Sequence, residues 1–246
     1  MNSVGIIGFG RFGKILSNIL KRGFDVKVYD LKPDLSFTNI QFVDLDELVK
    51  EQNIFVSVPI RNFKKIISEI SPKLKNNTII DVCSVKIEPV KIMENFLPKS
   101  VGIIATHPLF GPDSFNLNNK LKMMMNNTRD LYQQYNFWKN YFISQNIQII
   151  EMEADEHDLL AAKTQGITHF LGRVLKEFGI NQTQIDTQGF SELLDLVNQT
   201  CNDSWELFSD LQLYNPYTND IINKFKYSTD KISEKLIKES KNAMDY

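Results

Sequence analysis

Apolar and polar positions alternate in two different rhythms along the chain. Residues 4–8 form a short apolar run of strand length, and residues 14–22 carry Ile15, Leu16, Ile19 and Leu20 at helical spacing. Residues 26–30 return to a strand pattern, as do residues 54–58, 78–82, 101–105 and 148–152. Between them, residues 45–50, 62–74 and 89–96 have the spacing of amphipathic helices. Strand and helix in repetition predict an α/β fold, a doubly wound and mostly parallel sheet wrapped by helices.

Beyond Met152 the strand pattern does not return. Asp155 is placed to cap a helix reaching Gly179, and further helices are expected over residues 189–198, over 204–214 and in the tail after Thr229. Two domains are therefore expected, an α/β domain over residues 1–152 and an all-helical domain over residues 153–246. The tail from residue 231 to 242 is charged, with Ile232, Leu236 and Ile237 as a thin apolar stripe, and is expected to be a surface helix.

Composition narrows the function. With 42% hydrophobic and 24% charged residues the chain suits a folded domain rather than a disordered one. Twenty-eight basic against thirty acidic residues give a net charge of −2, which argues against broad nucleic-acid binding. Cys83 and Cys201 follow no metal-ligand spacing and are expected to be reduced thiols. No apolar run reaches the roughly 20 residues that span a bilayer, and the stretch from Val4 lacks the basic start of a secretory leader. A soluble, cytoplasmic protein with no membrane partner is expected.

The first candidate site is Gly8-Phe9-Gly10-Arg11-Phe12-Gly13, a G-x-G-x-x-G between a strand and a helix. In that setting the glycines serve a tight turn, close approach to a pyrophosphate and strand–helix packing, the fingerprint of a Rossmann-type dinucleotide site. The helix start supplies free N–H groups and partial positive charge to phosphates. Asp30, roughly twenty residues on, stands where an acid hydrogen-bonds the adenosine ribose. A carboxylate there repels a 2′-phosphate, so NAD is expected over NADP, with Lys32 close enough to soften the preference. Val58 and Pro59, ending the next strand, complete the expected cofactor-binding set.

Three further segments carry chemistry. Asp81-Val82-Cys83-Ser84-Val85-Lys86 and Thr106-His107-Pro108-Leu109-Phe110-Gly111-Pro112 follow strand ends, where doubly wound sheets bind ligands. Glu156-His157-Asp158 opens a helix on which Gln165, His169 and Arg173 recur at i, i+4 and i+8, on one face. His157 and His169 lie about 120° apart around that helix, so no shared metal face is expected.

With these motifs and the Asp186-Thr187-Gln188-Gly189-Phe190 segment, the sequence from Val4 to about Asn215 resembles the prephenate/arogenate dehydrogenases, most of all the plant-type arogenate enzymes. The resemblance implies an NAD(P)-dependent oxidoreductase of tyrosine biosynthesis with a helical dimerisation domain, hence a homodimer. It implies that His107 accepts the proton of the substrate's 4-hydroxyl and that Ser84 helps hold that hydroxyl and the nicotinamide side. A histidine suits the task because its pKa lies near working pH. Gln165, Thr168, His169 and Thr187 match positions lining the substrate pocket, against a polar packing role for Gln165 and His169.

His157 is expected to be structural, partnered by nearby backbone or by Asp158. The arginine that binds a substrate carboxylate in the bacterial prephenate branch has Asp195 in its place here, leaving Arg173, Lys86 or backbone N–H groups as donors. Asp203, in Asp203-Ser204-Trp205, matches an acid that in the plant-type enzymes pairs with the ammonium of arogenate. Helix capping is its other reading. Prephenate dehydrogenase activity is the alternative within the family. Outside it stand the β-hydroxyacid dehydrogenases and imine reductases, and a dinucleotide-sensing regulator without turnover. Ile167, four residues after Lys163, speaks against the β-hydroxyacid enzymes, which need asparagine there.

Overall fold

The structure is a computed structural model that describes residues 3–34, 36–37, 40–112, 114–116 and 120–244. It divides into two compact units, Met1–His157 and Asp158–Tyr246. The division falls a few residues beyond Met152, inside a helix rather than before it.

The first unit is built on eight strands: β1 (Ser3–Ile7), β2 (Asp25–Tyr29), β3 (Gln41–Phe42), β4 (Asn53–Val56), β5 (Thr78–Asp81), β6 (Gly102–Pro108), β7 (Leu121–Arg129) and β8 (Ile147–Glu151). Their order is β3-β2-β1-β4-β5-β6-β7-β8. The first six run parallel, β7 pairs antiparallel with β6, and β8 pairs parallel with β7. The helices are α1 (Arg11–Leu20), α2 (Leu45–Leu48), α3 (Ile60–Ile70), α4 (Ile87–Phe96), α5 (Gln134–Ser144) and α6 (Ala154–Ala161).

Strand alternation creates two cores. Ile6 and Phe55 join Leu16, Ile19, Trp138 and Phe142 on one face, while Ile7, Ile54 and Val56 join Leu48, Phe63, Ile67 and Met93 on the other. Helices cover both faces, so the sheet is doubly wound as expected. The pattern of the sequence missed β3, β7 and α5. β7 carries Met123-Met124-Met125, buried on both faces, and methionine favours helices, so neither alternation nor propensity marks a strand. α5 buries Tyr135, Trp138 and Phe142 but leaves Phe137 and, off their arc, Ile143 exposed, which blurs a clean apolar stripe.

The second unit is helical throughout its described residues. A π-helical turn (Ala162–Gly166) follows α6 and leads into α7 (Ile167–Phe178). Gly179 closes α7 with φ +86°, its N–H bonding the Leu175 carbonyl. Then come α8 (Gln188–Cys201), α9 (Trp205–Leu213) and α10 (Thr218–Met244), which begins eleven residues before Thr229. α7 and α8 pack closely at Gly172, where a Cβ would stand 2.0 Å from Thr200 Oγ1. No helix among the described residues is long and apolar enough to cross a membrane.

Candidate active site

In the first unit the predicted residues gather along one edge of the sheet. Gly8 follows β1, Asp30 follows β2, Val58 and Pro59 follow β4, and Ser84 follows β5, all at carboxyl ends of parallel neighbours. β6 extends past its pairing with β5, at Asp81↔Ala105, so that His107 stands two residues beyond that pair.

The glycine turn has the shape a pyrophosphate needs. Gly8 has φ +98°, and a Cβ there would stand 2.4 Å from the Ser57 carbonyl oxygen. A Cβ on Gly13 would stand 2.3 Å from Gly8 O, so α1 and β1 are in backbone contact. A Cβ on Gly10 would meet nothing within 4 Å, which leaves open space at the start of α1. Gly10 is also the N-cap, and no side chain caps α1, so the helix start offers its N–H groups to an anion. Asp30 accepts the Phe9 N–H at 2.6 Å and the Lys32 N–H at 2.7 Å. A carboxylate has about four lone-pair sites, so two remain for ribose hydroxyls. These features fit a dinucleotide. Phe9 itself contributes backbone, its ring being buried edge-on against Phe37 and Phe42. Arg11 is exposed, Phe12 is half-buried near Phe110, Val58 is half-buried, and Pro59 caps α3.

His107 is held by a buried polar brace. Asp81 accepts the N–H groups of Cys83 and Thr106, at 3.0 and 3.2 Å, and pairs with the ammonium of Lys86. Lys86 also donates to the Thr106 carbonyl. The brace ties the bend carrying half-buried Ser84 to the strand carrying His107. It also corrects an expectation: Lys86 is fully buried and committed to Asp81, which removes it as a donor to a substrate carboxylate.

His107 is itself buried, and its Nδ1 lies 2.8 Å from Nε2 of His157 on α6. Burial first, then His157, then the Lys86 ammonium hold its pKa well below 6.5, so the ring is neutral at physiological pH. This pairing adds a partner to those expected for His157, whose Nε2 meets His107.

The second unit has its own set. Gln165 lies in the π-helical turn, a feature that recurs at functional sites. Thr168, His169 and Arg173 follow on α7 and are half-buried. Gln165 Oε1, His169 Nδ1 and Arg173 Nε are buried without a hydrogen-bond partner, as is Oε1 of Gln212 on α9. Each such atom costs about 1–3 kcal/mol if left unsatisfied, so their concentration on one small helical unit marks a place for a polar ligand.

Arg173 stacks 5.3 Å from the Phe208 ring centre and donates to the Asp203 carbonyl. Burial lowers the His169 pKa, opposed by the Asp203 carboxylate and reinforced by Arg173, so these three groups share one electrostatic neighbourhood. Ser204, not Asp203, caps α9 by accepting the Leu207 N–H, and the capping alternative for Asp203 falls away. Thr187 is exposed and caps α8 through the Phe190 N–H. Gln212 was not singled out from sequence, where a glutamine amid α9 carries no motif.

Fold and site together define a doubly wound α/β unit with a phosphate-type glycine cradle and a buried neutral histidine, continued by a helical unit with unsatisfied polar groups. Comparison with known proteins narrows the class. Residues 23–130 match the family model described as prephenate dehydrogenase, nucleotide-binding domain, and residues 174–245 match a TYRAAT1-like C-terminal domain. Chloroplastic arogenate dehydrogenase 1 of Arabidopsis thaliana is 33% identical over 95% of this chain, which spans 39% of that protein's length. Arogenate dehydrogenase 2 of the same plant is 28% identical over 95% of this chain and 69% of that protein. The prephenate dehydrogenase of Aquifex aeolicus, solved with hydroxyphenyl propionate and NAD+, shares the fold with TM-score 0.78 and 20% identity, over 98% of this chain and 92% of that one. Over most of its length the chain is similar to proteins named arogenate and prephenate dehydrogenases.

Proposed function

We propose that the protein oxidatively decarboxylates arogenate to tyrosine with NAD. The observation that carries this reading is His107, a buried and uncharged imidazole at the carboxyl edge of a sheet whose glycine turn fits a dinucleotide. When bound, the nicotinamide supplies an acceptor for the hydride of ring C4. His107 takes the proton of the 4-hydroxyl, the oxygen's electron pair forms the carbonyl, and CO2 leaves from the opposite ring carbon as the ring becomes aromatic. Ser84 holds the hydroxyl. Gln165, Thr168, His169 and Arg173 bind and orient the substrate, and the resemblance extends this role to Thr187. Residues 1–152 act as the dinucleotide-binding domain, and residues 153–246 serve substrate binding and dimerisation.

NAD is favoured over NADP because Asp30 keeps a carboxylate beside the ribose site, while the nearby Lys14 is paired with Asp34 at 2.8 Å. Arogenate is favoured over prephenate by Asp203. Its carboxylate complements the ammonium that arogenate carries and repels the ketone oxygen of prephenate. Close charge pairs of this kind couple by about 1.5–7 kcal/mol. The protein acts as a cytoplasmic homodimer, a reading supported by the apolar side chains that the helical unit leaves exposed, among them Phe178, Ile185 and Leu213.

The test is NAD reduction followed by absorbance, with arogenate and prephenate supplied in parallel to the wild type and to Asp203→Asn. The wild type is expected to prefer arogenate, and the variant to lose arogenate activity and gain prephenate activity. A parallel fall of both activities would refute the role of Asp203. Absence of both in the wild type would refute the reaction.

A further inference from the structure

We infer that His157 is the positioning residue of His107: it accepts a hydrogen bond from Nδ1–H of His107 and thereby keeps the lone pair of His107 on Nε2. The inference rests on the proposed role of His107 as base and adds which ring nitrogen acts and what holds it ready. Both rings are buried, at 2% and 4% exposure, and the Nδ1···Nε2 separation of 2.8 Å is that of a hydrogen bond. Both residues belong to the first unit, on β6 and α6.

One proton lies in the hydrogen bond between the two rings, and it belongs to one nitrogen or the other. If His157 donated from Nε2, neutral His107 would carry its own proton on Nε2 and have no lone pair there to accept another. If His107 donates from Nδ1, its Nε2 is the basic atom, and none of the described residues bonds it. Only the second arrangement makes a base. The charged groups around the pair act in the same direction. The Lys86 ammonium, tied to Asp81, disfavours a second positive charge on His107, as does the ring of His157. In register on β7, the residue opposite His107 is Met124, which brings no charge.

A carboxylate in that position would raise the basicity of the resting ring, whereas the imidazole of His157 holds the Nδ1–H while the His107 pKa stays well below 6.5. His157 thus orders the base without charging it.

The direct test is a long-range proton–nitrogen NMR spectrum of the ¹⁵N-labelled full chain at neutral pH. The sequence has three histidines, so His157→Gln and His169→Asn assign all three rings. The expected result is His107 protonated on Nδ1. A His107 protonated on Nε2, or averaged between tautomers, overturns the inference whether or not the protein turns over any substrate.

Kinetics supplies a second arm. His157→Leu is expected to lower kcat about 100-fold, the lower end of what a positioned general base contributes, with cofactor affinity unchanged. His157→Gln offers a carbonyl oxygen to the same N–H and is expected to stay within about tenfold of wild type. In His157→Gln the acid limb of the pH profile moves to higher pH, because one of the groups depressing the His107 pKa is gone. Equal losses in both variants with an unmoved limb would contradict the inference. If instead His107→Ala retained turnover, the role of His107 as base would fail, while the tautomer spectrum would still decide the pairing.

Discussion

In the α/β unit the side chains of β1, β4 and β5 are almost wholly withdrawn from solvent, and two large clusters fill the faces of the sheet. The helical unit buries only Ala161, Ala162, Phe208 and Leu211 among its described apolar side chains, while Phe178, Ile185 and Leu213 stand 82%, 89% and 79% exposed. Polar groups divide in the same way. The buried ions of the first unit, Asp81 and Lys86, are bonded to each other and to backbone, and only Thr78 and Gln134 among its described residues keep a buried polar side-chain atom without a partner, whereas Gln165, His169, Arg173, Gln212 and Thr218 do so in the smaller second unit. The first unit is a scaffold that nearly completes itself. The second is assembled around contacts that its own residues do not supply, which suits selection of a substrate and association with another copy.

That contrast can be broken most severely in the first unit. Trp138 is fully buried, stacks among Phe24, Phe55 and Tyr141, and donates to Asn53 Oδ1 at 2.9 Å. Trp138→Ala is expected to cost about 3–5 kcal/mol in urea unfolding, and a loss under 1 kcal/mol, far below that range, would show the core to be less committed than its packing implies. A smaller effect is expected from dilution and from the surface of the second unit. Sedimentation at micromolar concentration should give twice the chain mass. Leu213→Ser should weaken that association while changing the unfolding of the isolated chain by less than about 0.5 kcal/mol. A monomer at that concentration would mean that the exposed apolar face serves something other than a second copy.

What could be seen in the sequence was the chemistry that works through local spacing. The glycine turn, Asp30 and the strand-end position of His107 were legible because strand, turn and helix start are neighbours along the chain. Helices α8 and α9 were legible in outline, although their caps, Thr187 and Ser204, were not named and the choice for Asp203 stayed open until α9 was seen. What was hidden depends on pairing across the fold. Nothing in Asp81-Val82-Cys83-Ser84-Val85-Lys86 says that Lys86 turns inward, since a lysine five residues from an aspartate more often faces water. The meeting of His107 and His157 spans fifty residues and needs β6 and α6 to be built first. β7 and α5 were hidden for a different reason, because burial on both faces and apolar residues left exposed blur the periodicity by which an element is recognised.

The measurement that tests the account most directly is the pH profile of kcat/KM for the wild type and for His107→Ala, with cofactor affinity measured alongside. A base must be unprotonated to act, and burial, His157 and Lys86 place the His107 pKa well below 6.5. Wild-type activity is therefore expected to hold as pH falls from neutrality past 6.5, and to be lost only as it passes through that lowered value. His107→Ala is expected to lose at least about 100-fold in turnover across the range while binding NAD as the wild type does. A variant that keeps most of its kcat, or a wild-type acid limb at or above 6.5, would contradict the assignment of His107 as the uncharged base.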